Sequence, residues 1–224
     1  MAILTREQIL GRLNTGDMQF NPGLDTFQLQ EHAVDLRLGF TFLVPKAWHL
    51  TRNGREALKI DPFVPAGKPT HFDVIELEQG QFFDLLPGEH ITVSTLEAVK
   101  IPHDLMAVLY PRSSTNRRGL SVDLTGIIDS GYEGQLIIPL RNSTAHQTIR
   151  LYPGERICQI IFEELGTRVE ARQSRYHKKD IIEGLSGEAL PGEREVEMVL
   201  VESGDIRKLK AENAVIEPIE DSRR

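Results

Sequence analysis

An antiparallel β-barrel or jelly-roll opened by one short helix is the fold class this chain predicts, on three observations. Short runs rich in Val, Ile, Leu and Phe recur at close intervals, at 72–77, 81–85, 91–99, 105–110, 120–124 and 157–162. Clusters of Gly, Pro, Asn and Asp separate them, and these are the residues that tight turns require. Helical patterning is confined to the start of the chain, and many short strands with few helices characterise closed or rolled antiparallel sheets. At 224 residues with 40% apolar content, one barrel domain can bury about 70% of its unfolded surface. That domain is expected over 1–187, with a C-terminal extension over 188–224.

In chain order, Thr5-Arg6-Glu7-Gln8 is a capping box, with Leu4 placed to staple onto Ile9 and with Leu10 and Leu13 extending the apolar face. Gly16 and the Asn21-Pro22-Gly23 turn end this helix, and a loop runs to Gln30. His32 to Gly39 alternates like a strand, with Asp35 and Arg37 on one side. Residues 46–70 are polar, with several Pro and Gly, and read as loops. Pro87-Gly88-Glu89 recurs at 153–155 and 191–193 without a shared period, so it is reused turn chemistry and not a repeat. Glu195 to Val201 alternates like a strand, and 204–224 is a charged tail.

The net charge of −7 argues against a protein that holds nucleic acid by its phosphates. Cys158 is the only cysteine. It excludes an intrachain disulfide and the His/Cys/Cys zinc set of zinc-dependent base deaminases, and its apolar surroundings mark it as core. Without a long apolar segment, the expectation is a soluble, cytoplasmic protein with no membrane partner. A cupin-type metal site is disfavoured because His71, His90 and His103 are isolated and no His-x-His occurs. Trp48 reads as packing.

Three polar signatures lie between 110 and 165. Pro111-Arg112-Ser113-Ser114, continuing through Thr115-Asn116-Arg117-Arg118-Gly119, crowds cations and hydroxyls into one loop. Guanidinium forks bind phosphate oxygens in pairs, and hydroxyls add donors. Gly126-Ile127-Ile128-Asp129-Ser130-Gly131-Tyr132-Glu133-Gly134 frames one carboxylate and one aromatic with glycines, offering a general base and a ring to pack on a sugar. Tyr152-Pro153-Gly154-Glu155-Arg156 feeds a strand whose uncharged polar side chain, Gln159, could reach a phosphate. Singly, each signature is better read as ordinary turn or solvated-loop chemistry.

In this order and spacing, the three signatures resemble the trimeric dUTPase and dCTP deaminase superfamily. Ile-Asp-Ser-Gly-Tyr-Glu-Gly-Gln-Leu and Pro-Gly-Glu-Arg-Ile are closest to the dUTPase branch, whereas Val34-Asp35-Leu36-Arg37-Leu38-Gly39 matches the deaminase branch. The resemblance implies a distorted dUTPase-like barrel and a homotrimer with sites between subunits. It implies a triphosphate held by Arg112, Ser113, Ser114, Arg117 and Gln159, with Asp129 activating water and Mg²⁺ on the phosphates. Asp35 would reach that metal only through water, or else would pair with a neighbouring cation. Tyr132 would pack on the deoxyribose, and the hairpin carrying Gly126, Ile128, Ile137, Ile138 and Pro139 would read the pyrimidine. In the closing segment Tyr176 fits the family's Tyr. Glu183 stands where a Lys is expected, so Lys179 or Lys178 would substitute, and the dUTPase Phe-containing tail is missing.

Deaminases of the superfamily carry a glutamate ten residues past the Ile-Asp aspartate, where it activates the water that attacks cytosine C4. That position here is Pro139, which can neither accept nor deliver a proton. The expectation is therefore a dUTP diphosphatase, acting on a deoxyuridine nucleotide and leaving dCTP unreacted. The alternatives are a dCTP deaminase, a bifunctional deaminase/diphosphatase, or a non-enzymatic nucleotide-binding regulator.

Overall fold

The computed structural model describes residues 2–58, 71–123, 126–169 and 193–215. Helix α1, Arg6–Thr15, opens with the expected capping box: the Thr5 hydroxyl accepts from Gln8 N–H while the Gln8 side chain accepts from Thr5 N–H. Gly16 closes it in the left-handed conformation at φ 73°. Leu4 and Ile9 are both buried, as the staple requires. Leu4 N–H also donates to Phe162 O, which seats the helix on the barrel.

Thirteen strands follow among the described residues: β1 (Gln19–Asn21), β2 (Val34–Pro45), β3 (Trp48–Thr51), β4 (Gly54–Ala57), β5 (Phe72–Glu76), β6 (Phe83–Leu85), β7 (His90–Lys100), β8 (Leu105–Pro111), β9 (Leu120–Val122), β10 (Ile127–Ile128), β11 (Glu133–Asn142), β12 (Ile149–Leu151) and β13 (Arg156–Glu164). Nine form one curled antiparallel sheet in the order β10-β8-β13-β2-β7-β11-β9, with β1 on β7 and β5 on β2. β6 pairs with β12, and β3 with β4. The all-β expectation, with a short N-terminal helix, holds.

Alternation writes the core directly. In β11 the even-numbered Leu136, Ile138 and Leu140 are buried, and the odd-numbered Ile137, Pro139 and Arg141 face outward. Successive side chains of a strand point to opposite faces. Inside, Phe42 stacks on Phe83 at 5.0 Å and Phe20 meets Phe162 edge-on at 6.4 Å, geometries that aromatic quadrupoles favour. Cys158 is fully buried, and burial pushes its thiol well above the ordinary range, as expected of a core residue.

Several local expectations change. The cationic loop contains a short helix, α2 (Ser113–Arg117), and the polar 46–70 segment contains the β3–β4 hairpin, where the Arg55 guanidinium lies 4.7 Å from the Trp48 ring centre. Glu195 to Val201 is not a strand but part of helix α3 (Glu193–Glu202), followed by α4 (Ile206–Glu212). Its alternation was a coincidence of a mixed sequence, and Glu and Met favour helix. No helix among the described residues is long and apolar enough to cross a membrane.

The long strand β2 is the spine: it pairs with β13, β7 and β5. Its register against β7 shifts between Leu38 and Phe42, and Gly39 sits in that irregularity. A Cβ there would lie 2.4 Å from Ser94 Oγ and 2.8 Å from Ser94 O. Backbone cannot yield as a side chain does. Gly39→Ala should therefore cost about 1–3 kcal/mol, lowering Tm by about 2–4 °C per kcal/mol, as calorimetry will show; an unchanged Tm would place the strain elsewhere.

Candidate active site

A cleft of about 430 Å³ lies where β2, β8 and β13 meet α2, lined in part by Asp35, Arg112, Ser113, Ser114, Arg117 and Gln159. All five residues expected to hold phosphate are thus in one place. The register explains it. Gln159 lies directly opposite Asp35 of β2 on one side and Tyr110 of β8 on the other, so their side chains share a face. Pro111 ends β8, and the chain turns into α2 with Arg112 as its N-terminal cap residue. The first backbone N–H groups of a helix lack partners within it, and here they belong to Ser113 and Ser114 at the cleft.

Asp35 is almost fully buried beneath this loop. Its Oδ2 lies 3.1 Å from Arg112 Nε and accepts from Arg156 Nη1 at 3.0 Å. Arg112 Nη1 in turn donates to the Arg156 carbonyl at 3.2 Å, and Arg156 Nη1 also donates to Phe27 O. Burial lifts the Asp35 carboxyl above its ordinary value, and the charges of Arg112 and Arg156 pull it back only in part. A carboxylate engaged in this way braces the arginine fork, whose remaining N–H groups are available to the cleft. The ion pair expected as one reading of Asp35 is present, with both arginines on the same oxygen, Oδ2. Among the described residues no group of three His, Cys, Asp or Glu could hold a metal.

The third signature locks the loop from behind. Gly154 N–H donates to Leu38 O at 2.7 Å and Leu38 N–H to Glu155 O at 2.8 Å, while Arg37 Nη1 donates to Gly154 O at 2.6 Å. The Glu155 carboxylate accepts from Arg118 Nη2 at 2.8 Å, tying the turn to the end of α2. Gly119, at φ 85°, leaves α2 so close to Thr144 that a Cβ would lie 2.4 Å from its methyl group. Arg156 escaped the sequence reading. Its signal was a cation in the Pro-Gly-Glu-Arg turn, matching the lone acid in Val34-Asp35-Leu36.

The second signature lies elsewhere on the chain. Ile127 and Ile128 pair with Val108 and Ala107, which places Asp129 beside Met106, five residues from Pro111 and hence about 17 Å along β8. Asp129 is exposed in a turn closed by Tyr132 N–H donating to its carbonyl, and Tyr132 is half-buried with its hydroxyl donating to Gln135 O at 2.6 Å. Gly126 accepts at its carbonyl from Leu109 N–H, Ile128 and Ile138 are core, and Ile137 and Pro139 lie on the outward face of β11. Tyr176 and Lys179 lie outside the described residues.

Comparison with known proteins adds the chemistry. The family model described as dCTP deaminase-like matches residues 3–165. A protein of Methanosphaera stadtmanae named dCTP deaminase, dUMP-forming is 34% identical over 170 residues, covering 74% of this chain and 80% of that protein. One of Dictyoglomus thermophilum with the same name is 38% identical over 179 residues, covering 79% and 86%. Among solved structures, the 2′-deoxycytidine 5′-triphosphate deaminase from Agrobacterium tumefaciens shares the fold at a TM-score of 0.54 and 23% identity. That match covers 73% of this chain and 49% of the other, so this chain spans about half of that longer protein.

These relatives overturn the expectation of a dUTP diphosphatase that leaves dCTP unreacted, since the proteins at 34% and 38% identity are named as deaminases. The expectation rested on Pro139, which stands where deaminases of the superfamily carry a glutamate. Sheet neighbours are cross-strand neighbours, and a count along one strand misses them.

Two outcomes test the geometry of the cleft. Arg117→Ala should weaken binding of a deoxynucleoside triphosphate by about ten- to hundredfold, the worth of a charge-assisted contact, as titration calorimetry will show; unaltered binding would remove Arg117 from the site. Asp35→Asn should cost about 1–3 kcal/mol of stability in denaturant melts, less than for a fully buried pair because both arginines reach solvent, and no loss would mean that the ion pair holds nothing together.

Proposed function

The chain belongs to the dCTP deaminase-like family, and from that premise we propose that it converts dCTP to dUMP, releasing ammonia and diphosphate. The observation that carries this reading is the phosphate cleft, in which a buried acid braces Arg112 beside two serines, Arg117 and Gln159. The names of the relatives supply the rest: deamination at the base and dUMP as product. Two waters are consumed, one at cytosine C4 and one at the α-phosphorus.

Arg112, Ser113, Ser114, Arg117 and Gln159 hold the triphosphate. They aim N–H and O–H donors where charge develops on the departing diphosphate, which is the dominant mode of electrostatic catalysis. Mg²⁺ would come with the triphosphate and not from a site on the protein, and would supply charge neutralisation to the departing diphosphate. Asp129 takes the proton from the water that attacks the α-phosphorus. The Tyr132 ring packs on the deoxyribose, where a 2′-hydroxyl would clash, and backbone groups between Gly126 and Pro139 meet the pyrimidine edge.

Within one chain Asp129 and the phosphate cleft stand about 17 Å apart along β8. This separation supports a site completed by a second copy and, with the superfamily resemblance, a homotrimer. Light scattering should then give three times the 25.3 kDa chain mass, and a fully active monomer would contradict the shared site.

The assay that tests the function supplies dCTP with Mg²⁺ and resolves nucleotides by chromatography. The expected products are dUMP, ammonia and diphosphate in equal amounts, whereas no ammonia from dCTP would overturn the reading. Asp129→Asn should lower diphosphate release by about 10²- to 10⁴-fold without moving Tm. Retained release would put the base elsewhere.

A further inference from the structure

We propose that Asp123 supplies the proton-transferring carboxylate for deamination that the Pro139 position cannot supply; this rests on the reading of the chain as a dCTP deaminase. The antiparallel register of β11 on β9 pairs Leu140 with Val122 and Arg141 with Ser121. Continued by one residue, it sets Asp123 directly opposite Pro139. A hydrogen bond fixes that continuation, since Asp123 N–H donates to the Pro139 carbonyl at 3.0 Å. Pro139 has no N–H to return, so this pair has one bond where another residue would allow two.

Residues directly opposite in an antiparallel pair carry their side chains on the same face, with Cβ atoms about 4.5–5.5 Å apart. Val122 and Leu140 are buried, so Asp123 and Pro139 both face outward, and Asp123 is exposed. The carboxylate therefore ends within about one strand spacing, 4.7–4.9 Å, of the place a longer acid at 139 would reach. Proline keeps that face open, being compact and without a donor to compete for the carboxylate.

Its orientation is set. Ser121, two residues back on the same face, donates its hydroxyl to Asp123 Oδ1 at 2.6 Å, which leaves Oδ2 for a water. The partner of Pro139 on its other side, Thr92 of β7, carries no acid. Glu133 pairs in register with Lys100 at the far end of β11, six residues from Pro139 and about 20 Å away.

The step balances with one water. Its oxygen bonds to cytosine C4 as Asp123 takes one of its protons and passes it to ring N3, giving a tetrahedral carbon that bears both hydroxyl and amine. Asp123 then moves the hydroxyl proton to the amine. The C4–N bond breaks, ammonia leaves, the C4 carbonyl forms and uracil keeps the proton on N3.

The experiment measures ammonia release from dCTP and diphosphate release from dUTP for wild type, Asp123→Asn, Asp123→Glu and the double variant Asp123→Asn/Pro139→Glu. Melting curves and calorimetric binding of α,β-imido-dCTP accompany each. The inference expects Asp123→Asn to lose about 10²- to 10⁴-fold in ammonia release, with a far smaller loss on dUTP, which has no amine to expel. Asp123→Glu should retain most of the deamination, and the double variant should regain it, which a purely structural Asp123 would not produce. Wild-type ammonia release by a folded Asp123→Asn overturns this assignment and leaves the functional reading standing. Absence of ammonia release from wild type overturns both. If Asp123→Asn melts early, the Glu and double variants decide, and failure of both to deaminate while binding the analogue overturns the assignment.

Discussion

The buried carboxylate of Asp35, held between Arg112 and Arg156, is the interaction on which the rest of the site depends. An ionised group taken out of water is costly unless it is paired and hydrogen-bonded. Here the pairing fixes three strands at once: Asp35 lies on β2, Arg156 opens β13 and Arg112 follows β8. The Arg112–Arg117 loop is therefore held in place by the fold itself. Its first arginine is anchored by an acid beneath it and by the Arg156 carbonyl beside it, which lowers the ordering cost of binding any anion there.

The same economy of position governs the opposite edge of the sheet. β9 and β11 bury one set of residues and turn Ser121, Asp123, Ile137 and Pro139 outward. A compact proline opposite an aspartate is a different way to place one acid on that face. Strand exchange of a functional group leaves backbone and core untouched, because only outward-facing positions change.

Much of this was legible in the sequence. Thr5 to Gln8 specified the capping box, the alternation of Leu136, Ile138 and Leu140 specified the inner face of β11, and Arg112, Ser113, Ser114, Arg117 and Gln159, singled out together, line one cleft. What stayed hidden was cross-strand. Asp35 and Arg156 are 121 positions apart and meet only through the β2–β13 register. Asp123 and Pro139 likewise meet only through the β9–β11 register. Glu195 to Val201 failed for the opposite reason, since a period of two over a few residues does not exclude a helix.

The central claim is a nucleotide site made of two separated parts, the Arg112–Arg117 loop for phosphates and the outward face of the paired strands β9 and β11 for the base. A crystal structure with α,β-imido-dCTP tests it most directly. The account predicts the triphosphate against Arg112, Ser113, Ser114 and Arg117 of one copy, with cytosine C4 facing the Asp123 carboxylate of a neighbouring copy. A nucleotide lying wholly within the cleft of one chain, with its base away from β9 and β11, would contradict it.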